Sequence, residues 1–231
     1  MTAIAIFVKT PGLTPVKTRL AATIGREGAE QWHRLAALAV AERALAAGIG
    51  QVYFAVAEAE GIDHPLWSDL PCLAQGDGGL GERMHRIHDQ LISRHGSGLL
   101  LGADAIQWRL AHLRRADEWL SGAPRRWVLG PAADGGFWTF GSNRALPMTA
   151  WTSVRYSQAD TRQRFEEGLT QAGEGLRLPN LTDLDELADR SAMLSELTEE
   201  HQRAGARLKA AIDYLETLKG ETRSEDNDRA N

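Results

Sequence analysis

Short apolar runs alternate with long helical stretches along this chain, and that alternation limits the fold more than any other feature. Ala3-Ile4-Ala5-Ile6-Phe7-Val8 ends in a Gly/Pro loop, which fits a buried parallel strand better than a helix. From about Glu27 to Ala47 the chain is rich in Ala, Leu, Glu and Arg, so it reads as a long helix closed by Gly48 and Gly50. Gln51–Val56 is a second strand. Strand, helix and strand in that order call for a mainly parallel sheet with helices on both faces, a three-layer αβα, Rossmann-like arrangement. The pattern continues with a helix over Leu80–His95, a strand at Gly98–Gly102, a helix from about Arg109 to Leu120, and strands at Arg126–Gly130 and Phe137–Phe140. Helices are expected over Gln158–Gln171, Leu184–Leu197 and His201–Leu218, the last one packing on its own domain or pairing two copies as a homodimer. Ser68–Gly79 is expected as a mobile edge, residues 1–219 as a single domain, and 220–231 as a fraying polar tail.

Composition narrows the function classes. The chain has 231 residues, with 26 Lys and Arg against 31 Asp and Glu, a net charge of −5 that disfavours nonspecific nucleic-acid binding. A local basic patch can still hold a small phosphorylated ligand. One cysteine excludes an internal disulfide. Met1-Thr2-Ala3-Ile4 has no basic stretch before its apolar run, and no apolar run approaches the roughly 20 residues of a membrane span, so a cytoplasmic protein is expected.

The polar chemistry falls just after the strands, where open α/β sheets bind ligands. Gly12 lets backbone approach a ligand, and Lys17 and Arg19 can meet phosphate oxygens; a solvated basic turn is the alternative. Asp104 follows Leu99-Leu100-Leu101-Gly102-Ala103 and suits either a magnesium or manganese ion bridging to a diphosphate, or an N-cap for the next helix. Asp134-Gly135-Gly136 is either a hairpin turn or bare backbone against a sugar or ring, with the acid accepting hydroxyls. Gly76, Asp77 and Gly81 belong to a Gly-rich stretch that enters a helix and could clasp a nucleobase or sugar; Arg83 there binds a ligand or pairs with an acid such as Glu82. The seven His form no HxxxH or HExxH; His85 and His88 share a helix face, as a metal pair or as core and surface residues. Trp138 and Trp151 are candidates for the cleft wall, or for the core.

These segments together resemble a little-characterised bacterial family with the glycosyltransferase-A-like (GT-A-like), nucleotide-diphospho-sugar transferase fold, often encoded beside radical-SAM proteins. The family is similar in plan to nucleotidyltransferases that make molybdopterin-type dinucleotides. The likeness runs from about Thr2 to Leu197 and rests on Phe7–Leu20, Gln75–Met84, Leu101–Asp104, Leu129–Phe137, Trp151–Val154 and Leu178–Asp185. It implies Lys17 and Arg19 on the donor phosphates and a divalent cation on Asp104, with Asp183 and then Asp185 as further acidic partners. Asp134, Gly135 and Gly136 would face the acceptor or sugar. The implied reaction is metal-dependent transfer from a nucleotide sugar, with nucleotidyl transfer from an NTP as the alternative and Asp77, Glu82 or Asp134 as base. The family pattern Asp-x-Pro-x-Leu is replaced here by Asp104-Ala105-Ile106-Gln107-Trp108, which bears on the acceptor pocket and leaves open a protein that only binds nucleotide or a partner.

Overall fold

A computed structural model describes residues 1–219; the expected tail over 220–231 lies outside the described residues. Seven strands form one sheet in the order β3-β2-β1-β4-β6-β5-β7. They are β1 (Ala3–Val8), β2 (Val52–Val56), β3 (Cys72–Ala74), β4 (Gly98–Gly102), β5 (Arg126–Pro131), β6 (Phe137–Ser142) and β7 (Glu174–Arg177). β1 pairs in parallel with β2 (Ile4 opposite Val52) and with β4 (Ile4 opposite Leu99). β6 alone runs antiparallel, between β4 and β5, and β5 pairs in parallel with β7. The sheet is therefore mostly parallel, and helices flank both faces, as the strand–helix alternation predicts.

The period of two along β1 builds two cores. Ile4, Ile6 and Val8 face α1 (Thr18–Ala47), α3 (Leu110–Leu120) and α8 (Ala206–Thr217). Ala3 and Ala5 face α2 (Leu80–His95), α4 (Met148–Thr152) and α5 (Thr161–Glu167). Alanine on α1 (Ala36, Ala37, Ala41, Ala44) brings its backbone close to the sheet and to α8, whose Leu208, Ala211 and Leu215 are buried in the same chain. None of the described helices is long and apolar enough to cross a membrane.

Several boundaries depart from expectation, each for a local reason. α1 begins at Thr18 rather than near Glu27, and Gly25 (φ 80°, ψ 160°) breaks it internally. The expected Gln158–Gln171 helix shortens to α5, because Thr161 Oγ1 accepts the Gln158 N–H (3.0 Å) at its start and Gly168 ends it. Leu184–Leu197 becomes a 3-10 turn at Leu187–Asp189 and then α6 (Arg190–Ser195), with Asp189 Oδ2 accepting the Asp185 and Glu186 N–H groups. His201–Leu218 splits into α7 (Glu199–Gln202) and α8, since Glu42 of α1 accepts the Arg207 and Leu208 N–H groups and caps a fresh helix there. The Ser68–Gly79 segment contains β3, paired with β2 (Phe54 opposite Cys72), so it is not simply a loose edge.

Candidate active site

The carboxyl ends of β1, β4 and β5 open onto one cavity of about 880 Å³. That is ample for a nucleotide-sized ligand. It is lined by residues from far apart in the chain, including Lys9, Lys17, Arg19, His33, Asp104, Asp134 and Asp185.

The basic side begins where β1 ends. Thr10 is fully buried; its N–H donates to Glu58 Oε2 (2.8 Å) and its hydroxyl accepts the Trp67 indole N–H (3.0 Å). This anchors the loop that leads to Lys17, which adopts a left-handed backbone (φ 46°, ψ 49°) at the N-cap of α1. A non-glycine residue there carries about 1 kcal/mol of strain, and such strain clusters at functional sites. The result is a side chain only 7% exposed whose Nζ lies 3.0 Å from Asp104 Oδ2 and 3.0 Å from Asp185 Oδ1. Those carboxylates, with Asp183, outweigh burial and hold the Lys17 ammonium well above its usual pKa. Arg19 stands at the exposed rim, 3.6 Å from Asp185 Oδ2.

The acidic side is built by three strand ends. Asp104 lies just beyond β4. Burial works against its charge, but Lys17 and then His33 hold its carboxyl well below the usual carboxylate range. Its Oδ1 has no hydrogen-bond partner. Asp104 is not the N-cap of α3: Arg109 occupies that position, and the Leu110 N–H donates to Glu200 Oε1 (3.0 Å). The residues after Asp104 turn inward. Gln107 donates to the Thr182 carbonyl (2.6 Å) and to Glu196 Oε2 (2.8 Å), and Trp108 is buried beneath the Arg43 guanidinium, 5.0 Å from its ring centre. The departure from the family pattern thus goes into the core, and Trp108 does not line the cavity.

Asp134 occupies the β5–β6 turn, where its Oδ1 accepts the Gly136 N–H (2.8 Å), and it also lines the cavity. Gly135 (φ 90°) is pressed against the Ala159 carbonyl and its own carbonyl accepts the Arg162 N–H (2.9 Å), which brings Ser157, Gln158 and Ala159 to the cavity wall. A side chain at Gly135 would collide with that wall, so both the turn and its packing require glycine.

The chain after β7 continues beside β5, with Leu181 bridging Ala132, and so delivers Asp183 and Asp185 to the same edge. The Asp183 carboxyl makes no hydrogen bond to another side chain or backbone group among the described residues. Burial pushes its pKa up to about 7, with Asp104, Asp134 and Asp185 adding to this against the pull of Lys17.

The Gly-rich stretch divides. Arg83 lines the cavity and its Nε donates to the Gly78 carbonyl (2.9 Å) rather than pairing with Glu82, which instead caps the Gly79 N–H (2.7 Å). Gly76 and Asp77 wrap around Arg86, which donates to the Asp77 carbonyl (3.1 Å), and Gly81 packs against the Trp151 carbonyl; none of these three lines the cavity. Gln75, buried, ties the strand ends by donating to the Ala55 (2.8 Å) and Val8 (3.3 Å) carbonyls. Gly12 lines a separate groove of about 420 Å³ beside the main cavity. Trp138 and Trp151 are core residues, 2% and 0% exposed, not cleft walls. His88 Nε2 meets Ser142 Oγ (3.1 Å), so it is not paired with His85 on a metal.

Among the described residues, no three Asp, Glu, His or Cys side chains converge as a ready-made metal centre. Lys17 stands between Asp104 and Asp185, so those two acids and Asp183 do not surround a common point as ligands. The unpartnered Asp104 Oδ1 is nonetheless a hard oxygen donor of the kind that magnesium or manganese takes when phosphates complete the shell.

A mostly parallel, helix-flanked sheet with a charged cavity at its carboxyl edge is a GT-A-like, Rossmann-like fold. The chain belongs to the family described as an uncharacterized protein conserved in bacteria (DUF2064), whose model matches residues 34–158. Among solved structures, a candidate nucleotide-diphospho-sugar transferase from Desulfovibrio desulfuricans G20 superposes with a TM-score of 0.78 at 23% identity, covering 93% of this chain and 96% of that one. CMP:2-keto-3-deoxy-manno-octonic acid synthetase, solved with CTP, gives 0.53 at 13% identity over 85% of this chain and all of that one. A Methanothermobacter nucleotidyl transferase gives 0.52 at 14% identity over 94% and 99%. These likenesses establish the fold. No curated protein matches the chain.

Proposed function

We propose that residues 1–219 form a single transferase domain that takes a nucleotide-activated donor, foremost a nucleotide sugar, into the cavity at the sheet's carboxyl edge. The observation that carries this reading is Lys17, a buried ammonium held by strained backbone between Asp104 and Asp185 at the floor of that cavity. An ammonium has three N–H donors; Asp104 Oδ2 and Asp185 Oδ1, each 3.0 Å away, take two, which leaves one for a ligand. With Arg19, Arg83 and Lys9 also on the lining, the site offers cations to a diphosphate on one side and carboxylates on the other.

In glycosyl transfer the bond from the anomeric carbon to the diphosphate oxygen breaks, an acceptor oxygen bonds to that carbon and loses its proton, and the nucleoside diphosphate leaves. Lys17 and Arg19 offset the charge that builds on the leaving phosphate. Asp134 faces the sugar or acceptor and takes the acceptor's proton. A magnesium or manganese ion, when bound, would add further charge stabilisation to the diphosphate, and Asp104 Oδ1 is the cavity donor that would hold it. The similarity in fold to the candidate nucleotide-diphospho-sugar transferase supports the sugar donor, whereas similarity to CMP:2-keto-3-deoxy-manno-octonic acid synthetase favours attack on the α-phosphorus with release of pyrophosphate.

Product analysis with a panel of nucleotide sugars and NTPs, with Mg²⁺ or Mn²⁺, tests the proposal. Nucleoside diphosphate release marks glycosyl transfer, and pyrophosphate release marks nucleotidyl transfer. Neither turnover nor donor hydrolysis anywhere in the panel would sink the enzymatic reading.

A further inference from the structure

Ser157 lies between α4 and α5, and no sequence motif marks it. Among the described residues, only two that are not glycine have a left-handed backbone, Lys17 (φ 46°) and Ser157 (φ 59°). Both line the cavity at the sheet's carboxyl edge. That backbone is strained for a residue with a Cβ, whereas glycine adopts it freely. The surrounding contacts impose it. Thr161 Oγ1 accepts the Gln158 N–H (3.0 Å), Gln158 Nε2 donates to the Ser157 carbonyl (2.9 Å), and the Tyr156 hydroxyl donates to the Trp151 carbonyl (2.7 Å). Gly135, next to Asp134, packs on the Ala159 carbonyl, so this segment is fastened to the β5–β6 turn. The Ser157 hydroxyl takes no part in the fastening. Ser157 is exposed, and its Oγ has no hydrogen-bond partner among the described residues.

Charge is sorted along the lining. Its Lys and Arg side chains, Lys9, Lys17, Arg19 and Arg83, come from residues 9–19 and from α2. The stretch of wall made by Asp134, Ser157, Gln158 and Ala159 has one carboxylate and no cation, so it repels phosphate and suits neutral hydroxyl groups. The Asp134 carboxylate accepts hydrogen bonds from hydroxyls, while Ser157 and Gln158 both donate and accept. We propose that Ser157 is a specificity-determining residue whose hydroxyl, beside Asp134 and Gln158, bonds a hydroxyl of the sugar on a nucleotide-sugar donor. A nucleoside triphosphate carries no hydroxylated ring beyond its phosphates, so this stretch of wall selects nucleotide sugars over NTPs.

The proposal rests on the transferase reading of the same cavity, and the test keeps the two apart. Calorimetry in one Mg²⁺-containing buffer compares UDP with UDP-glucose, GDP with GDP-mannose and dTDP with dTDP-glucose, on wild type, Ser157→Ala, Ser157→Gly and Arg19→Ala. In wild type, at least one nucleotide sugar should bind about fivefold tighter than its own nucleoside diphosphate. Ser157→Ala should bring that ratio to within about twofold and leave nucleoside diphosphate binding unchanged. Ser157→Gly should lose the same preference yet melt at or near the wild-type temperature, since relief of the left-handed strain offsets the freedom glycine adds to the unfolded chain. That variant separates a lost hydroxyl from lost structure even where Ser157→Ala fails to fold. Arg19→Ala should weaken both members of a pair by the same factor. A sugar preference retained in either folded Ser157 variant, or no preference in wild type for any pair, overturns the proposal and leaves nucleotide binding in the cavity standing. Wild type that binds none of the six ligands overturns both.

Discussion

His88 on α2 and the Lys17–Asp104–Asp183 group at the strand ends both carry ionisable chemistry into the interior, with opposite outcomes. His88 is 1% exposed, among Phe140 and Trp151, and its Nε2 is matched to Ser142 Oγ, which in turn donates to the Arg144 carbonyl. Burial drives its pKa down to about 3, so it stays neutral and behaves as one more ring of the core. The strand-end group is charged and incompletely matched. Asp104 Oδ1 lacks a partner, Asp183 is pushed up to about 7, and Lys17 is held in a strained backbone. Around His88 the polar atom left open is the neutral Trp151 indole N–H, whereas the strand-end group leaves a charged carboxylate oxygen open.

The comparison can be broken or sharpened by substitution. The largest effect is expected for Lys17→Met, which leaves Asp104, Asp183 and Asp185 facing one another without their central cation. Stability at pH 7 should fall by about 2–3 kcal/mol in urea denaturation, and calorimetric binding of a nucleoside diphosphate should weaken at least tenfold. Next comes His88→Ala, with a loss of about 2 kcal/mol in the same denaturation and unchanged nucleotide binding. A loss of binding there would erase the distinction between the two regions. In wild type, the folded chain binds fewer protons at His88 than the unfolded chain does between about pH 3 and 6.5. The His88 contribution is therefore complete above pH 6.5 and lost as the pH falls, by up to about 1.4 kcal/mol per pH unit. His88→Phe should flatten that slope.

Asp183→Asn tests the other sign. A carboxyl raised from 3.8 to about 7 keeps its proton in the folded state, so its contribution is present at low pH and lost as pH rises through that window. The Asn variant should be more stable than wild type at pH 8 by about 1 kcal/mol, while binding the nucleotide with metal less tightly. Equal stability at pH 8 and pH 4 in both proteins would show that Asp183 is already relieved. The smallest effect is expected for Arg19→Ala at the exposed rim. Stability should change by less than about 0.5 kcal/mol and diphosphate binding should weaken a few-fold, more at low salt than at high.

β1, β2 and β4 were legible because each is a short apolar run closed by turn residues; β1, α2 and β4 coincide with their expected bounds. Lys17, Asp104, Asp134 and Asp185 were legible as one group because polar residues directly after buried strands meet at one edge of such a sheet. β3 and β7 were not legible as strands, because both are short edge segments without alternation; β7 buries only part of Leu176. Nor were the cavity roles of His33, Ser157 and Gln158. His33 looks like a helix-face residue until the fold brings Asp104 beside it, and Ser157 and Gln158 reach the wall through Gly135 packing on Ala159. The Gly-rich stretch misled in the other direction, since Gly76 and Gly81 make room for Arg86 and for the α4 backbone.

The partnership of Lys17 with Asp185 also has a bearing on biosynthesis. The lysine leaves the ribosome early and its counter-ion late, and Gln107 beside Asp104 is fastened by Thr182 and Glu196. A nascent chain stopped short of residue 182 holds the ammonium and one carboxylate, with the segment behind that carboxylate unfastened. The Lys17–Asp185 pair can therefore close only after the segment through residue 185 has been made and has folded back beside β1.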